Sequence, residues 1–164
     1  STSMGLGYLA LVAAQAIEQG ADYKEAAAAA RAILPHLHLV FVVDTLEYLH
    51  RGGRIGGAQR LFGSMLSIKP LLQLEDGRIE PLDKVRTKSK AVQRLLEIAA
   101  ESVQGASACH VTVLNAAAAA EAESLAAQVQ DLLKPNSLNI VEISPVIGTH
   151  TGPAALGLAW YTEP

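Results

Sequence analysis

Two glycine-rich segments carry the side chains best suited to bind a small anion. In the first, residues 44–57, four glycines in six positions surround Arg54 and follow Arg51. Glycines allow positive φ and a close approach of the backbone to a ligand, and an arginine offers a planar fork that matches a carboxylate or a phosphate. The alternative is a helix C-terminus with solvated arginines, and the missing G-K-[ST] excludes a Walker phosphate loop.

The second segment, residues 147–153, sets His150 between Thr149 and Thr151 in a stretch punctuated by two glycines and a proline. A stiff loop that holds an imidazole and hydroxyls is suited to clamp a small anionic head group. A histidine whose hydrogen bonds are satisfied within the fold is the alternative.

Three other motifs are better explained by structure than by chemistry. Residues 5–10 match the dinucleotide fingerprint G-x-G-x-x-A, but the motif needs a preceding strand and only four residues come before it. Cys109 and His110 are adjacent, and neighbours on a strand face opposite sides, so a buried core cysteine is expected. His36 and His38 have the geometry of two metal ligands, but no third ligand follows at metal-site spacing, so no metal site is predicted.

The composition is that of one globular domain. Of the 164 residues, 50% are hydrophobic and 18% are charged, which excludes a disordered chain. A net charge of −3 and an aromatic content of 4% argue against a generic nucleic-acid binder. No apolar run is long enough for a membrane span, and the single cysteine is typical of a cytoplasmic protein without an internal disulfide.

Hydrophobic periodicity and turn residues predict the elements that position these side chains. Asp22 and Glu25 have the spacing of a capping box, Thr87 is a candidate helix cap, and Asp76-Gly77 suits a tight hairpin turn. The predicted helices cover 6–19, 22–34, 46–50, 57–66, 88–103 and 116–133. The predicted strands cover 39–43, 67–74, 78–85, 108–114, 138–143 and 154–161, with 148–153 as a loop. The pattern predicts an α/β fold with a mixed sheet of about six strands flanked by helices.

Taken together and in order, these motifs resemble the DegV family of fatty-acid-binding proteins, which includes the binding subunit of bacterial fatty acid kinase. The resemblance rests on Ser-Met-Gly-Leu-Gly at 3–7, Phe-Val-Val-Asp-Thr-Leu-Glu-Tyr-Leu at 41–49, Arg-Gly-Gly-Arg-Ile at 51–55, Ile-Lys-Pro at 68–70, Asp-Gly at 76–77, Lys-Val-Arg-Thr at 84–87 and Gly-Thr-His-Thr-Gly-Pro at 148–153. Each motif is weak alone, and the combination, which covers nearly the whole chain, is specific.

The resemblance implies a two-domain protein that holds one long-chain fatty acid between its domains. Residues 1–164 would be the C-terminal lipid-binding domain with its leading helix, and the N-terminal domain would be absent from this chain. By motif, His150 with Thr149 and Thr151 would belong to the polar network at the fatty-acid carboxylate. Arg54 and Arg86 would lie near the head group or on the surface that docks a kinase subunit.

The resemblance also directs attention to the wall of an acyl tunnel and to one departure from the family pattern. Apolar residues near the glycine-rich segment are candidates for the tunnel, although each of them could equally belong to the core: Phe62, Met65, Leu66, Ile68, Leu71 and Leu72. The family reads Gly-Pro-Gly after His-Thr, whereas this chain has Ala154 at the last position. If that position needs positive φ, the alanine would be strained.

These observations favour a lipid carrier in the cytoplasm that presents a bound carboxylate to a separate kinase subunit for acyl-phosphate formation. The chain would be no enzyme by itself, and it would need no cofactor other than its fatty-acid ligand. Two alternatives stay open: an enzyme that uses His150 and the arginines on a small anionic substrate, and a purely structural or interaction domain.

Overall fold

The computed structural model describes residues 1–62 and 68–163. Its centre is one six-stranded sheet with the order β3-β2-β1-β6-β4-β5. The strands are β1 (Leu37–Val42), β2 (Lys69–Glu75), β3 (Arg78–Val85), β4 (Cys109–Asn115), β5 (Ser137–Glu142) and β6 (Leu156–Thr162). β4 and β5 run parallel, and every other neighbouring pair is antiparallel. The mixed α/β sheet predicted from the sequence is therefore confirmed.

The helices lie on both faces of this sheet. They are α1 (Ser3–Glu18), α2 (Tyr23–Ala32), α3 (Glu47–Arg51), α4 (Lys88–Ser102), α5 (Ala119–Leu133) and α6 (Pro145–Thr151), with short 3₁₀ segments at Leu34–His36 and Gly56–Leu61. None of the helices in the described part of the chain has the length and apolar character that a membrane crossing requires.

Local chemistry explains several of these boundaries. Asp22 Oδ1 accepts hydrogen bonds from the backbone N–H groups of Lys24 and Glu25 at 2.8 and 2.9 Å, and Glu25 Oε2 accepts one from the Asp22 N–H at 2.8 Å. This is the capping box that the spacing predicted. Asp76 and Gly77 have φ of +47° and +78°, the left-handed pair of a two-residue hairpin turn between β2 and β3.

The sheet separates two apolar cores. α4 and α5 cover one face, where Val40 and Val42 of β1 pack with the fully buried Trp160. α1 and α3 cover the other face, where Leu39 and Phe41 of β1 belong to the core. Successive side chains of a strand alternate between the two faces, so β1 supplies both cores and its sequence is continuously apolar.

One predicted element is wrong. Residues 148–153 were expected as a loop, but residues 145–151 form α6. Ser144 caps this helix by accepting a hydrogen bond from the Ile147 N–H at 3.5 Å, and Pro145 occupies the first turn, where its missing N–H costs nothing. Gly152 ends the helix with φ of +75°. His150 therefore lies on a short helix and not in a loop.

Candidate functional site

A cavity of about 640 Å³ opens on the face of the sheet that α1 and α3 cover. The N-terminus of α1, the loop after α3, the β2–β3 turn and α6 surround it. Its lining is mainly apolar and comes largely from strands and short helices, including Leu39, Phe41, Leu49, Leu114, Ile147 and Leu156. An apolar cavity with a few polar groups at its rim is the usual form of a small-molecule site.

The α1 helix is fastened to the sheet beside this cavity by a buried tyrosine. The hydroxyls of Tyr8 and Thr112 form a 2.7 Å hydrogen bond, and the Tyr8 ring contacts Tyr161 edge-on at 4.9 Å. Burial raises the pKa of Tyr8 to about 12, despite the opposing effect of the Thr112 hydrogen bond. The tyrosine therefore stays neutral and anchors α1, and Thr2 and Ser3 at the start of this helix line the cavity.

His150 lies at the rim of the cavity, and glycine makes room for it. A Cβ placed on Gly52 would collide with Nδ1 of the imidazole and would lie 2.8 Å from its Cε1. A side chain at position 52 would force the imidazole to move, because the ring lies against the Gly52 Cα. The two glycine-rich segments of the sequence therefore form one structure, in which α6 rests on the end of α3.

The contact with Gly52 also determines which nitrogen of His150 can serve a ligand. Nδ1 is buried and has no hydrogen-bond partner among the described residues. A proton on Nδ1 would have no acceptor there, so we assign the proton of the neutral ring to Nε2. A proton at Nε2 gives the site a hydrogen-bond donor that a carboxylate can accept.

The two threonines beside His150 differ in their surroundings. Thr151 is buried and lines the cavity, with its hydroxyl within 3.4 Å of the Ile147 carbonyl and 3.3 Å of the Gly152 carbonyl. Thr149 is exposed, does not line the cavity, and donates to the Pro145 carbonyl at 2.8 Å. The structure brings His150 and Thr151 together at the cavity and turns Thr149 to the other side of α6.

The arginines named from the sequence are also separated. Arg54 lines the cavity, and its Nη1 donates to the Gly52 carbonyl at 3.2 Å. Arg86 is exposed between β3 and α4 and does not line the cavity. Arg51 faces outward on α3 and forms an ion pair with Glu47.

None of the apolar candidates that the structure describes lines this cavity. Phe62 is 39% exposed and stacks on His50 with a ring separation of 4.1 Å, and Ile68 is half-buried. Leu71 is fully buried in the opposite core, under α4, whereas Leu72 lies in the core on the cavity's face. Met65 and Leu66 lie outside the described residues.

Sequence reasoning missed the residues that do line the cavity. Leu39 and Phe41 lie in a strand that was recognised, but its apolar run contains no alternation that could assign its faces. Arg78 follows the Asp76-Gly77 turn and also lines the cavity. The sequence predicts the turn, and the charge of the residue directly after it is the one sequence feature that could have indicated a role for Arg78 at the cavity.

The other chemical motifs have structural roles. Residues 5–10 lie inside α1, where Gly5 is buried, so the fingerprint forms no strand-to-helix turn. Cys109 is in the core and burial raises the pKa of its thiol, while His110 stacks on Tyr161 at 4.7 Å. The described residues contain no group of three metal-ligating side chains, and His38 stacks on Trp160 at 5.0 Å.

The comparison with protein families explains this arrangement. The family model described as "Uncharacterised protein, DegV family" matches residues 1–163. The chain belongs to the DegV family. A DegV domain-containing protein of Streptomyces coelicolor is 50% identical over 157 residues, which are 95% of this chain and 56% of the relative. A DegV domain-containing protein of Halalkalibacterium halodurans is 41% identical over 151 residues, which are 92% of this chain and 53% of the relative.

Solved DegV structures have the same fold. A DegV family protein from Thermus thermophilus, described by its fatty acid binding, superposes with a TM-score of 0.88 at 30% identity. The superposition covers 98% of this chain and 58% of the Thermus chain. DegV of Bacillus subtilis, described as a fatty acid binding protein, gives a TM-score of 0.84 at 30% identity, with 97% and 57% covered. The chain thus spans somewhat more than half the length of each of these four proteins.

Proposed function

We propose that this DegV chain binds a long-chain fatty acid and presents the carboxylate to a separate kinase subunit, which forms an acyl phosphate with ATP. One observation carries the proposal: an apolar cavity whose charged and titratable lining consists of Arg54, Arg78 and His150, without a carboxylate among the described residues. The chain as a whole has a net charge of −3. A cavity that gathers cationic donors in an acidic chain is suited to an amphiphile with an anionic head.

Each part of the cavity would have a definite task. The apolar lining would remove the acyl chain from water, which contributes about 0.8 kcal/mol for each buried CH₂ group. The Nε2 proton of His150 would donate to one carboxylate oxygen, and Arg54 would supply a charged donor. The buried hydroxyl of Thr151 lies beside them. The acyl chain would supply the affinity, and the polar rim would orient the head.

The reaction itself would use groups that the kinase and ATP supply. A carboxylate oxygen forms a bond to the γ-phosphorus, the bond from that phosphorus to the β-phosphate oxygen breaks, and ADP leaves. The head group thereby changes from a singly charged carboxylate to an acyl phosphate with about two negative charges. This chain would position the nucleophilic carboxylate without being an enzyme on its own, and it would need no further cofactor. ATP as co-substrate is in keeping with a cytoplasmic location.

The proposal includes a second wall for the site. The chain spans 56% of the Streptomyces relative, and the relatives' remaining length is available to close the cavity from the other side. We assign residues 1–164 to the C-terminal lipid-binding domain of such a protein, with α1 as its leading helix. Arg86, exposed at the other end of β3 from Arg78, would belong to the surface that meets the kinase.

Native mass spectrometry of the full-length protein, before and after lipid extraction, tests the proposal. We expect a mass excess that extraction identifies as one long-chain fatty acid. Adding ATP and the kinase should then convert that lipid to acyl phosphate, which hydroxylamine traps as a hydroxamate. Absence of any lipid, with no uptake of added palmitate, would reject the carrier. Hydrolysis of a small anionic substrate without the kinase would instead establish an enzyme.

A further inference from the structure

Arg78 is a cationic side chain at the cavity that the proposed carboxylate site does not use. It lines the cavity directly after the β2–β3 turn, and no hydrogen bond or ion pair joins it to another described residue. Two other arginines are held by carboxylates: Arg94 contacts Asp83 at 3.0 Å and Glu97 at 3.1 Å, and Arg51 pairs with Glu47. The five donors of the Arg78 guanidinium are therefore all available to a ligand.

The backbone places Arg78 on the same rim as Arg54 and His150. His150 rests on Gly52, and Gly56 lies so close to Ile79 that an added Cβ would be 3.1 Å from the Ile79 nitrogen. The four peptide steps from Gly52 to Gly56 span at most about 14 Å. Arg54 lies in the middle of this short stretch, and Arg78 adjoins Ile79. All three residues line the cavity, and the stretch from Gly52 to Gly56 connects the part of its wall at His150 with the part at Arg78.

Arg54, Arg78 and His150 together offer more positive charge than is needed to match a singly charged carboxylate. A singly charged head group is matched by one arginine and the Nε2 proton of His150. The second arginine would add a full positive charge, and the described cavity lining contains no Asp or Glu to neutralise it. A phosphoryl group has three acceptor oxygens and about two negative charges, and arginine binds such oxygens in a bidentate manner.

We infer that Arg78, together with Arg54, makes the site selective for a doubly charged head group, so that it holds an acyl phosphate more tightly than the parent fatty acid. Arg78 is then a specificity-determining residue that retains the phosphorylated product after ADP has left. The inference rests on the proposed function, because it assumes that the cavity holds an acyl chain with its head at this rim.

Three ligands with one tail test the inference in the full-length protein. They are palmitate, the β-ketophosphonate analogue of palmitoyl phosphate, in which CH₂ replaces the bridging oxygen, and the monomethyl ester of that phosphonate. The ester keeps the shape and removes one charge. Titrations compare wild type with Arg78→Gln, Arg78→Lys and the control Arg31→Gln, which removes an exposed arginine of α2 that does not line the cavity.

We expect wild type to prefer the phosphonate over its monomethyl ester, and Arg78→Gln to reduce that ratio about fivefold to tenfold, since Arg78 is solvent-exposed and its contribution is screened. Arg78→Lys should reduce it less, and Arg31→Gln should leave it at the wild-type value. If the ratio of phosphonate affinity to ester affinity is the same in Arg78→Gln as in Arg31→Gln, the inference is overturned. The proposed function is still supported in that case if the protein binds palmitate. If wild type binds none of the three ligands, the proposed function itself fails.

Discussion

Gly52→Ala should weaken fatty-acid binding without removing any polar group from the chain. The new Cβ would collide with Nδ1 of His150 and would lie 2.8 Å from Cε1, so the imidazole must leave its position. The backbone tolerates alanine there, because Gly52 has φ of −78° and ψ of −3°, an ordinary right-handed conformation. The effect of the substitution is therefore steric and is directed at one ring.

The size of the effect follows from the hydrogen bond that is lost. A hydrogen bond to a charged group contributes about 1.5–3 kcal/mol, which corresponds to a loss of affinity of about tenfold to a hundredfold. The measurement is a titration of full-length protein with palmitate, with a thermal melt of each variant to check folding.

Gly148→Ala provides the matched control for this experiment. Gly148 lies two residues before His150 in the same helix, and a Cβ there would meet no atom within 4 Å. Alanine at a helical position should raise the free energy of unfolding by up to about 1 kcal/mol and leave the affinity unchanged. The reasoning is refuted if folded Gly52→Ala binds palmitate as tightly as Gly148→Ala does.

Three further outcomes are expected. His150→Ala should lower palmitate affinity by about one to two decades without lowering the melting temperature; a destabilised variant with wild-type affinity would instead make His150 a structural residue. Arg54→Ala and Arg86→Ala should slow acyl-phosphate formation with the kinase more than they weaken lipid retention, and loss of bound lipid with normal coupling would contradict this assignment. Ala154→Gly should raise the free energy of unfolding by about 0.5–1 kcal/mol, because Ala154 has φ of +61°. The control Ala127→Gly, at an exposed position of α5, should lower the free energy of unfolding by about 1 kcal/mol. If calorimetry gives the two changes the same sign, Ala154 carries no strain.

The strain anticipated at Ala154 shows how far a resemblance can be used. The family pattern has glycine at this position, which suggested a positive φ, and the structure has φ of +61° there. The Ala154 N–H donates to the Ala116 carbonyl at 2.8 Å, and the Ala116 N–H donates to the Ala155 carbonyl at 3.0 Å. These two bonds join the segment between α6 and β6 to the residue that follows β4, so the neighbouring backbone maintains the unfavourable conformation.

Features that depend on a few neighbouring residues could be predicted from the sequence. The capping box of Asp22 and Glu25, the Thr87 cap and the Asp76-Gly77 turn are confirmed, since each needs only side-chain and backbone atoms within three residues. The mixed sheet is confirmed too, because the order of apolar runs and turns limits the possible topologies. The pairing of Cys109 and His110 was excluded correctly by strand alternation alone.

Which residues line the cavity was decided by the tertiary structure alone. Leu71 and Leu72 are adjacent and both fully buried, yet they belong to opposite cores, with a register shift of the β2–β3 pair between them. In a sheet covered on both faces, burial no longer alternates along a strand, so the sequence carries no sign of the side on which a cavity lies. The helix at 145–151 has the same origin: seven residues are too few to be stable alone, and this helix depends on its packing against α3 as a whole. Local chemistry determined the elements of this protein, and contacts between distant residues determined its site.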